Sequence, residues 1–179
     1  MSQFTEAQRE EIIAILGKHS PQNIAIFDGI NEKKLNNAIS TYGETIPSDE
    51  EIFLQYDGTA WGSAKDGFLM TNLGIYSKNL WESTKSATYQ NIHTLNLKKT
   101  NLEVSVKVSE NFNITLVHTP KNIYAFLQEL LPLAQTGFKT ISQQSKTNPS
   151  AQIDNRCNGC GAPTHSHQAF CEYCGNPLN

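Results

Sequence analysis

The sequence has no long apolar run, very little arginine and no cysteine before residue 157. No stretch approaches the ~18 consecutive apolar residues that a membrane-spanning helix needs, and the N-terminal sequence lacks the basic start of a secretory signal peptide. We therefore expect a cytoplasmic protein with no transmembrane segment. The net charge of −3 also disfavours broad electrostatic capture of nucleic acid or of an anionic membrane.

The composition predicts one ordinary domain with a small appendage. The chain has 179 residues, of which 38% are hydrophobic. This fraction is below the usual range, and polar stretches at the two ends account for much of the difference. The pattern divides the chain into four parts. We predict a helical N-terminal region over 1–48, a β domain with its own helix over 49–135, a polar linker over 136–155 and a cysteine module over 156–179.

Two short helices are predicted in the N-terminal region. Thr5 and Gln8 have the spacing of a capping box, and Gly17 is a suitable C-cap for a helix over 6–16. Leu35 and Ala38 lie at helical spacing in the second segment. The sequence leaves open whether these helices pack on the β domain.

The middle of the chain has the alternation of antiparallel strands. About seven short strands are predicted, in the segments "EIFLQYD", "GFLMT", "IYSKNLW", "ATYQNI", "HTLNLKK", "LEVSV" and "FNITLVH". Gly74 is expected to supply a positive φ in a three-residue hairpin loop. A meander that bends into a barrel or sandwich would hide the strand edges. The fold class is therefore expected to be α+β.

One amphipathic helix is predicted to follow the strands. Thr119 is a suitable N-cap, Pro120 fits the first helical position, and large apolar residues recur at helical spacing over 123–131. Pro132 is expected to end or kink this helix. Its apolar face can cover the open end of a curved sheet.

All four cysteines lie in the segment "CNGCGAPTHSHQAFCEYCGN" near the C-terminus. They form two C-x-x-C-G pairs, whose thiolates can surround one metal ion in a tetrahedron: Cys157, Cys160, Cys171 and Cys174. Four thiolates leave no open position for water, so we expect one structural Zn²⁺ per chain. Iron in a rubredoxin-like setting shares this ligand set and would indicate electron transfer instead. His165 and His167 could displace a cysteine, but four well-spaced thiols favour exposed loop positions for both.

The segment "CNGCGAP…FCEYCGN" resembles the zinc-ribbon modules found at the ends of bacterial proteins. The stretch "GTAWGSAKDGFLMTNLGIYSKNLWE", with the hairpins and helix that follow, resembles bacterial pleckstrin-homology-like (GRAM-like) domains over about residues 48–135. That resemblance implies a strongly bent, seven-stranded antiparallel sheet capped by one C-terminal helix. It also implies binding of lipids, peptides or proteins, and it implies no catalysis.

Four residues are candidates for a binding surface in the β domain. Trp61 and Trp81 lie at predicted strand ends, where an aromatic side chain is less committed to the core, and Lys65 and Lys78 are close to them in the sequence. The segment "GSAKDG" lacks the spacing of a phosphate-binding loop, so we interpret it as a tight connection between strands.

The charge pattern ranks the possible partners. Residues 49–110 contain eight acidic residues, six lysines and no arginine, a poor basis for a lipid-headgroup site. The cysteine module has no lysine, so nucleic acid is an unlikely partner. No nucleophile–base grouping is found, and His93 and His118 lie on predicted strands. We therefore expect a non-enzymatic adaptor that binds a protein, with lipid or nucleic-acid binding as alternatives.

Overall fold

The structure is a computed structural model that describes residues 3–100 and 104–138. By its internal contacts the chain divides into one unit over Met1–Thr140 and another over Ile141–Asn179. The four cysteines and nearly all of the predicted polar linker lie outside the described residues. The described residues have an α+β architecture with two antiparallel sheets, which confirms the expected fold class.

Eight strands form the two sheets, one strand more than the sequence predicts. The first sheet has the order β1 to β5, made of Ile24–Ile26, Ile52–Asp57, Gly67–Thr71, Gly74–Lys78 and Lys85–Thr88. The second has the order β6 to β8, made of Asn96–Lys99, Val104–Ser109 and Phe112–Thr115. All neighbouring strands are antiparallel, so each sheet is a meander.

The sheets do not close into a barrel. The predicted strand "ATYQNI" is wrong in its bounds: β5 ends at Thr88 and a 3₁₀ turn follows over Tyr89–Asn91. Tyr89 and Ile92 are buried in the core at this point. Burying these two side chains takes the chain away from the edge of the first sheet. As a result β6 does not pair with β5, and it starts the second sheet instead.

Side chains join the two sheets where no ladder does. The Asn79 amide donates to the carbonyl oxygen of Asn113 at 2.9 Å and accepts from the backbone N–H of Thr115 at 2.8 Å, so it occupies the free edge of β8. The Tyr56 hydroxyl accepts from the backbone N–H of Val117 at 3.0 Å. These contacts satisfy main-chain groups that would otherwise be left unpaired at the seam.

The first helix, α1 over Glu6–His19, begins with the predicted capping box. The backbone N–H of Gln8 donates to the Thr5 hydroxyl oxygen, and the backbone N–H of Thr5 donates to the Gln8 side chain. The predicted end at Gly17 is wrong, because the helix continues to His19 and Ser20 is the left-handed C-cap. The second helix, α2 over Glu32–Ala38, continues into a π-helical turn over Ile39–Gly43.

The third helix, α3, spans Pro120–Gln135. Thr119 does not cap it with its side chain; the Thr119 hydroxyl instead accepts from the backbone N–H of Gln22 at 2.9 Å. Pro132 does not end the helix. The ring of Pro132 is exposed, while the residues after it, Leu133 and Ala134, are buried, so apolar burial holds the last turn in place.

A single main core contains buried residues of α1, α3 and both sheets. Ile12 and Ile15 bring α1 into it, so the first N-terminal helix packs against the β domain. A smaller cluster joins Ala38 and Tyr42 to Leu69 of β3. Gly74 starts β4 without the expected positive φ. A Cβ there would lie 2.7 Å from the carbonyl oxygen of Ala87, so glycine permits the close approach of β5.

Candidate functional site

The two tryptophans of the sequence are among the most exposed large side chains of the described residues. Trp61 is 96% exposed and Trp81 is 94% exposed. Trp61 lies on the connection between β2 and β3, and Trp81 on the connection between β4 and β5. In contrast, the aromatic side chains of Phe68 and Tyr76, which lie on strands, are buried. Alternate connections of an antiparallel meander lie at the same end of the sheet, so both exposed indoles lie at one end of the first sheet.

A buried carboxylate anchors the Trp61 loop. The Asp57 side chain is 3% exposed, and its Oδ1 accepts from the backbone N–H of Thr59 at 3.0 Å, from the Thr59 hydroxyl at 2.5 Å and from the backbone N–H of Ala64 at 3.1 Å. The Thr59 hydroxyl oxygen accepts in turn from the backbone N–H of Ser63 at 2.8 Å. The loop thus folds around one side chain.

Lys34 of α2 completes the anchor. Its ammonium group donates to Asp57 Oδ2 at 2.9 Å, and neighbouring Asn37 donates to the carbonyl oxygen of Ser63 at 2.8 Å. Burial opposes ionisation of Asp57 and is the largest single effect on its pKa. The hydrogen bonds from Thr59 and Lys34 together outweigh burial, so the pKa of Asp57 is lower than usual.

The backbone of this loop is tightly constrained. Gly62 and Ala64 have φ of +74° and +55°, and Gly67 has φ of +135°. A Cβ on Gly67 would lie 2.1 Å from the carbonyl oxygen of Tyr56, which no side chain can tolerate. Ala64 is fully buried and is held by Asp57, which offsets the cost of its left-handed backbone. Trp61 is therefore displayed on a fixed scaffold.

A second buried polar side chain anchors the Trp81 loop. Asn79 bonds to β8 as described above, and it also donates to the carboxylate of Glu82 at 3.2 Å. Lys85 lies 2.7 Å from the same carboxylate. The hydrogen bond from Lys85, assisted by that from Asn79, lowers the pKa of Glu82. Trp81 has φ of +64°, a strained value for a large residue, at the tip of this anchored turn.

A groove of about 480 Å³ lies between the Trp61 loop, the end of β4 and the end of β8. Its apolar walls include Trp61, Leu80 and Val117, each of which is exposed. Its charged residues are Lys65, Lys78 and Asp66. This volume lies within the range of about 300–1,000 Å³ typical of ligand sites.

The two lysines of the groove, Lys65 and Lys78, form no ion pair in the part of the chain that the structure describes. The nearby carboxylates of Asp57 and Glu82 are already paired, Asp57 with Lys34 and Glu82 with Lys85. With Asp66 counted, the groove carries one net positive charge in a protein whose formal net charge is −3.

The structure brings three of the four candidate surface residues together, because Trp61, Lys65 and Lys78 line the groove. Trp81 does not line it, but it directly follows Leu80, which does. Leu80 and Val117 were not predicted as site residues, and the anchoring roles of Asp57 and Asn79 were not predicted either. The order Asp-x-Thr at 57–59 is a known turn signature and could have indicated the Asp57 anchor.

The prediction that His93 and His118 lie on strands is wrong, because His93 lies on the connection before β6 and His118 on the connection between β8 and α3. His93 is exposed, and His118 is half-buried with its Nε2 at 3.5 Å from the carbonyl oxygen of Thr59. Within 3–100 and 104–138, no group of three or more His, Cys, Asp or Glu side chains could hold a metal ion. Among those same residues, no helix has the length and apolarity to cross a bilayer.

The predicted zinc ligands Cys157, Cys160, Cys171 and Cys174 lie outside the described residues, and so do His165 and His167. The groove between the Trp61 and Trp81 loops is therefore the candidate site whose geometry is defined. Comparisons of the chain with protein-family models, with curated proteins and with solved structures find no match.

Proposed function

We propose that this chain is a non-catalytic adaptor that binds a protein partner through the groove beside Trp61 and Trp81. The observation that carries the proposal is the display of two almost fully exposed indoles on loops that buried Asp57 and Asn79 hold in place. A loop that is ordered before binding loses little conformational entropy in a complex. Tryptophan is also among the residues that most often dominate binding energy at protein interfaces.

The exposed apolar surface supports the same proposal. Leu80 and Val117 are exposed next to the tryptophans, and water contact with this area is unfavourable by ~25 cal/mol per Å². Clustered exposed apolar residues on a folded protein commonly mark an interaction site. A partner that covers the groove would remove this surface from water.

We further propose that the cysteine module is a structural zinc ribbon and a second contact for the partner. The spacing of its four cysteines supports a closed tetrathiolate site, in which Zn²⁺ would supply the folding energy of the module. Two contacts on one chain raise the overall avidity when both can engage together. Iron at the same ligands would favour rubredoxin-like electron transfer instead.

A pleckstrin-homology-like relationship remains a proposal that rests on the sequence segment from Gly58 to Glu82 and on the order of strands and helix. Lipid binding is the second candidate function. It is favoured by the exposed Trp61 and Leu80, which line the groove with Lys65, and by the exposed Trp81, since indole rings and lysines both suit a membrane surface. Two lysines opposed by Asp66 are a weak electrostatic basis for that function.

Quantitative affinity capture from cells that express the full chain tests the adaptor proposal. Wild type is compared with Trp61→Ala and Trp81→Ala, and Leu73→Ala is the matched control because Leu73 is exposed on the opposite turn between β3 and β4. We expect one protein to be recovered with wild type and the control, to be lost with both tryptophan variants, and to bind again when purified. Equal recovery with all four proteins would contradict the proposal. Trp-dependent binding to lipid vesicles alone would favour the lipid function.

A further inference from the structure

We infer that the groove recognises a short acidic peptide segment that carries a bulky apolar side chain. The inference rests on the proposed function and specifies the chemistry of the partner. The groove itself offers three features that select a ligand: unpaired positive charge, apolar walls and a strand edge that is already occupied.

The first feature is charge. Lys65 on the Trp61 loop and Lys78 at the end of β4 both line the groove, and neither is ion-paired within residues 3–100 and 104–138. Asp66 offsets one of them. A segment with carboxylates would find partners in these ammonium groups, whereas a basic segment would meet like charge.

The second feature is shape. Trp61, Leu80 and Val117 provide apolar walls in a space of about 480 Å³. This space accommodates a few side chains and excludes a folded domain, so the recognised unit is a short segment. An aromatic or aliphatic side chain between these walls would bury apolar surface on both sides.

The third feature is the occupied edge of β8. Asn79 already accepts from the backbone N–H of Thr115, and Tyr56 accepts from that of Val117. A peptide at this position cannot add to the sheet as a new strand by pairing with those N–H groups, which is the usual mode for exposed sheet edges. Recognition therefore depends on side chains, and the ligand's sequence should matter more than its ability to form a strand.

The charge of the groove also favours an acidic peptide over a nucleic acid. A single-stranded nucleic acid needs a positively charged groove that follows its backbone over several nucleotides. Here two lysines and one aspartate line the groove. A short acidic peptide needs only one or two ion pairs together with the apolar contact.

Selection from a random peptide display library against the full-length protein tests the inference. We expect enriched peptides to combine Asp or Glu with an aromatic or aliphatic residue. A synthetic peptide of the enriched sequence should bind about fivefold more weakly to Lys65→Glu and to Lys78→Glu, the upper range for an exposed ion pair. Lys98→Glu makes the same charge change on β6 and should bind as wild type does.

Several results would overturn the inference: no enrichment, a basic or neutral consensus, or equal weakening by Lys98→Glu. Binding of an oligonucleotide or of phosphatidylserine vesicles that depends on Lys65 and Lys78, without peptide binding, would also overturn it. Affinity capture that still depends on Trp61 and Trp81 in those cases would leave the adaptor proposal standing. Loss of that dependence as well would overturn both proposals.

Discussion

The ammonium group of Lys34 and the carboxylate of Asp57 lie 2.9 Å apart, and they link α2 to the base of the loop that carries Trp61. The Asp57 side chain is almost completely buried, whereas that of Lys34 is 41% exposed. A buried charge is unfavourable unless it is paired and hydrogen-bonded. The ionised Asp57 side chain therefore requires this ion pair and the hydrogen bonds of its own loop. Because Asp57 joins the exposed loop to α2, the conformation of this loop contributes to the stability of the fold.

Asp57→Asn should lower the free energy of unfolding by about 1–3 kcal/mol, because charge-assisted hydrogen bonds become neutral and one amide hydrogen faces a donor. Urea unfolding measures the change. Asp28→Asn is the matched control, since the Asp28 side chain is 96% exposed and lies 3.4 Å from Arg9. That control should change stability by less than about 0.5 kcal/mol. Equal effects of the two substitutions would contradict the anchoring role of Asp57.

The pKa of Asp57 predicts an acid-dependent loss of stability. A carboxyl whose pKa is lower in the folded protein than in the unfolded chain stabilises the fold fully above the unfolded pKa of about 3.9. That stabilisation is lost as the pH falls through the folded pKa. The difference in unfolding free energy between wild type and Asp57→Asn should thus be constant near neutral pH and shrink below about pH 4. Urea unfolding between pH 7 and pH 3 measures it, and a difference independent of pH would argue against this origin.

Two glycine substitutions should have opposite effects. Gly67→Ala places a Cβ 2.1 Å from the carbonyl oxygen of Tyr56 at a φ of +135°, so the Trp61 loop must distort and the protein should lose several kcal/mol of stability. Gly17→Ala lies inside α1 with open space around the new methyl group, and it should stabilise the protein by about 0.5–1 kcal/mol. Thermal unfolding of both variants checks the signs. A stable Gly67→Ala protein would mean that the loop backbone is not constrained as described.

Removal of one thiolate should abolish metal binding by the cysteine module. Elemental analysis of the purified wild type should find one zinc per chain, and Cys157→Ser or Cys174→Ser should lose it. The polar linker predicts that the melting of the Met1–Thr140 unit stays unchanged. Iron in a coloured protein would contradict the structural zinc site and favour electron transfer. Equal loss of cooperative melting would contradict the independence of the two units.

Local signals in the sequence predicted several elements well. The capping box of Thr5 and Gln8 marked the start of α1, and the alternation in Val104–Ser109 and Phe112–Thr115 marked the last hairpin, although Ser105 is buried as well. These features depend on neighbours a few residues apart. The end of α3 was predicted too early because the exposed Pro132 is a local signal, whereas the burial of the following turn is set by the tertiary fold.

The elements that the sequence did not predict depend on distant contacts. Strand β1 has three residues and is defined by its pairing with β2, about 30 residues later in the chain. The seam between the sheets depends on Asn79 reaching β8, and the anchor of the Trp61 loop depends on Lys34 reaching Asp57. The tryptophans were identified from their places at predicted strand ends, but the groove that Trp61 lines with Leu80 and Val117 could not be predicted, because it forms where the two sheets meet.

Tryptophan fluorescence tests the proposed binding surface most directly, because the sequence contains only Trp61 and Trp81. In the free protein, and in Trp61→Phe and Trp81→Phe, we expect the red-shifted emission of water-exposed indoles and efficient quenching by acrylamide. Addition of the purified partner should shift the emission to the blue and protect both indoles from the quencher. Emission that is already blue-shifted in the free protein, or quenching that the bound partner leaves unchanged, would contradict the assignment of Trp61 and Trp81 to the recognition surface.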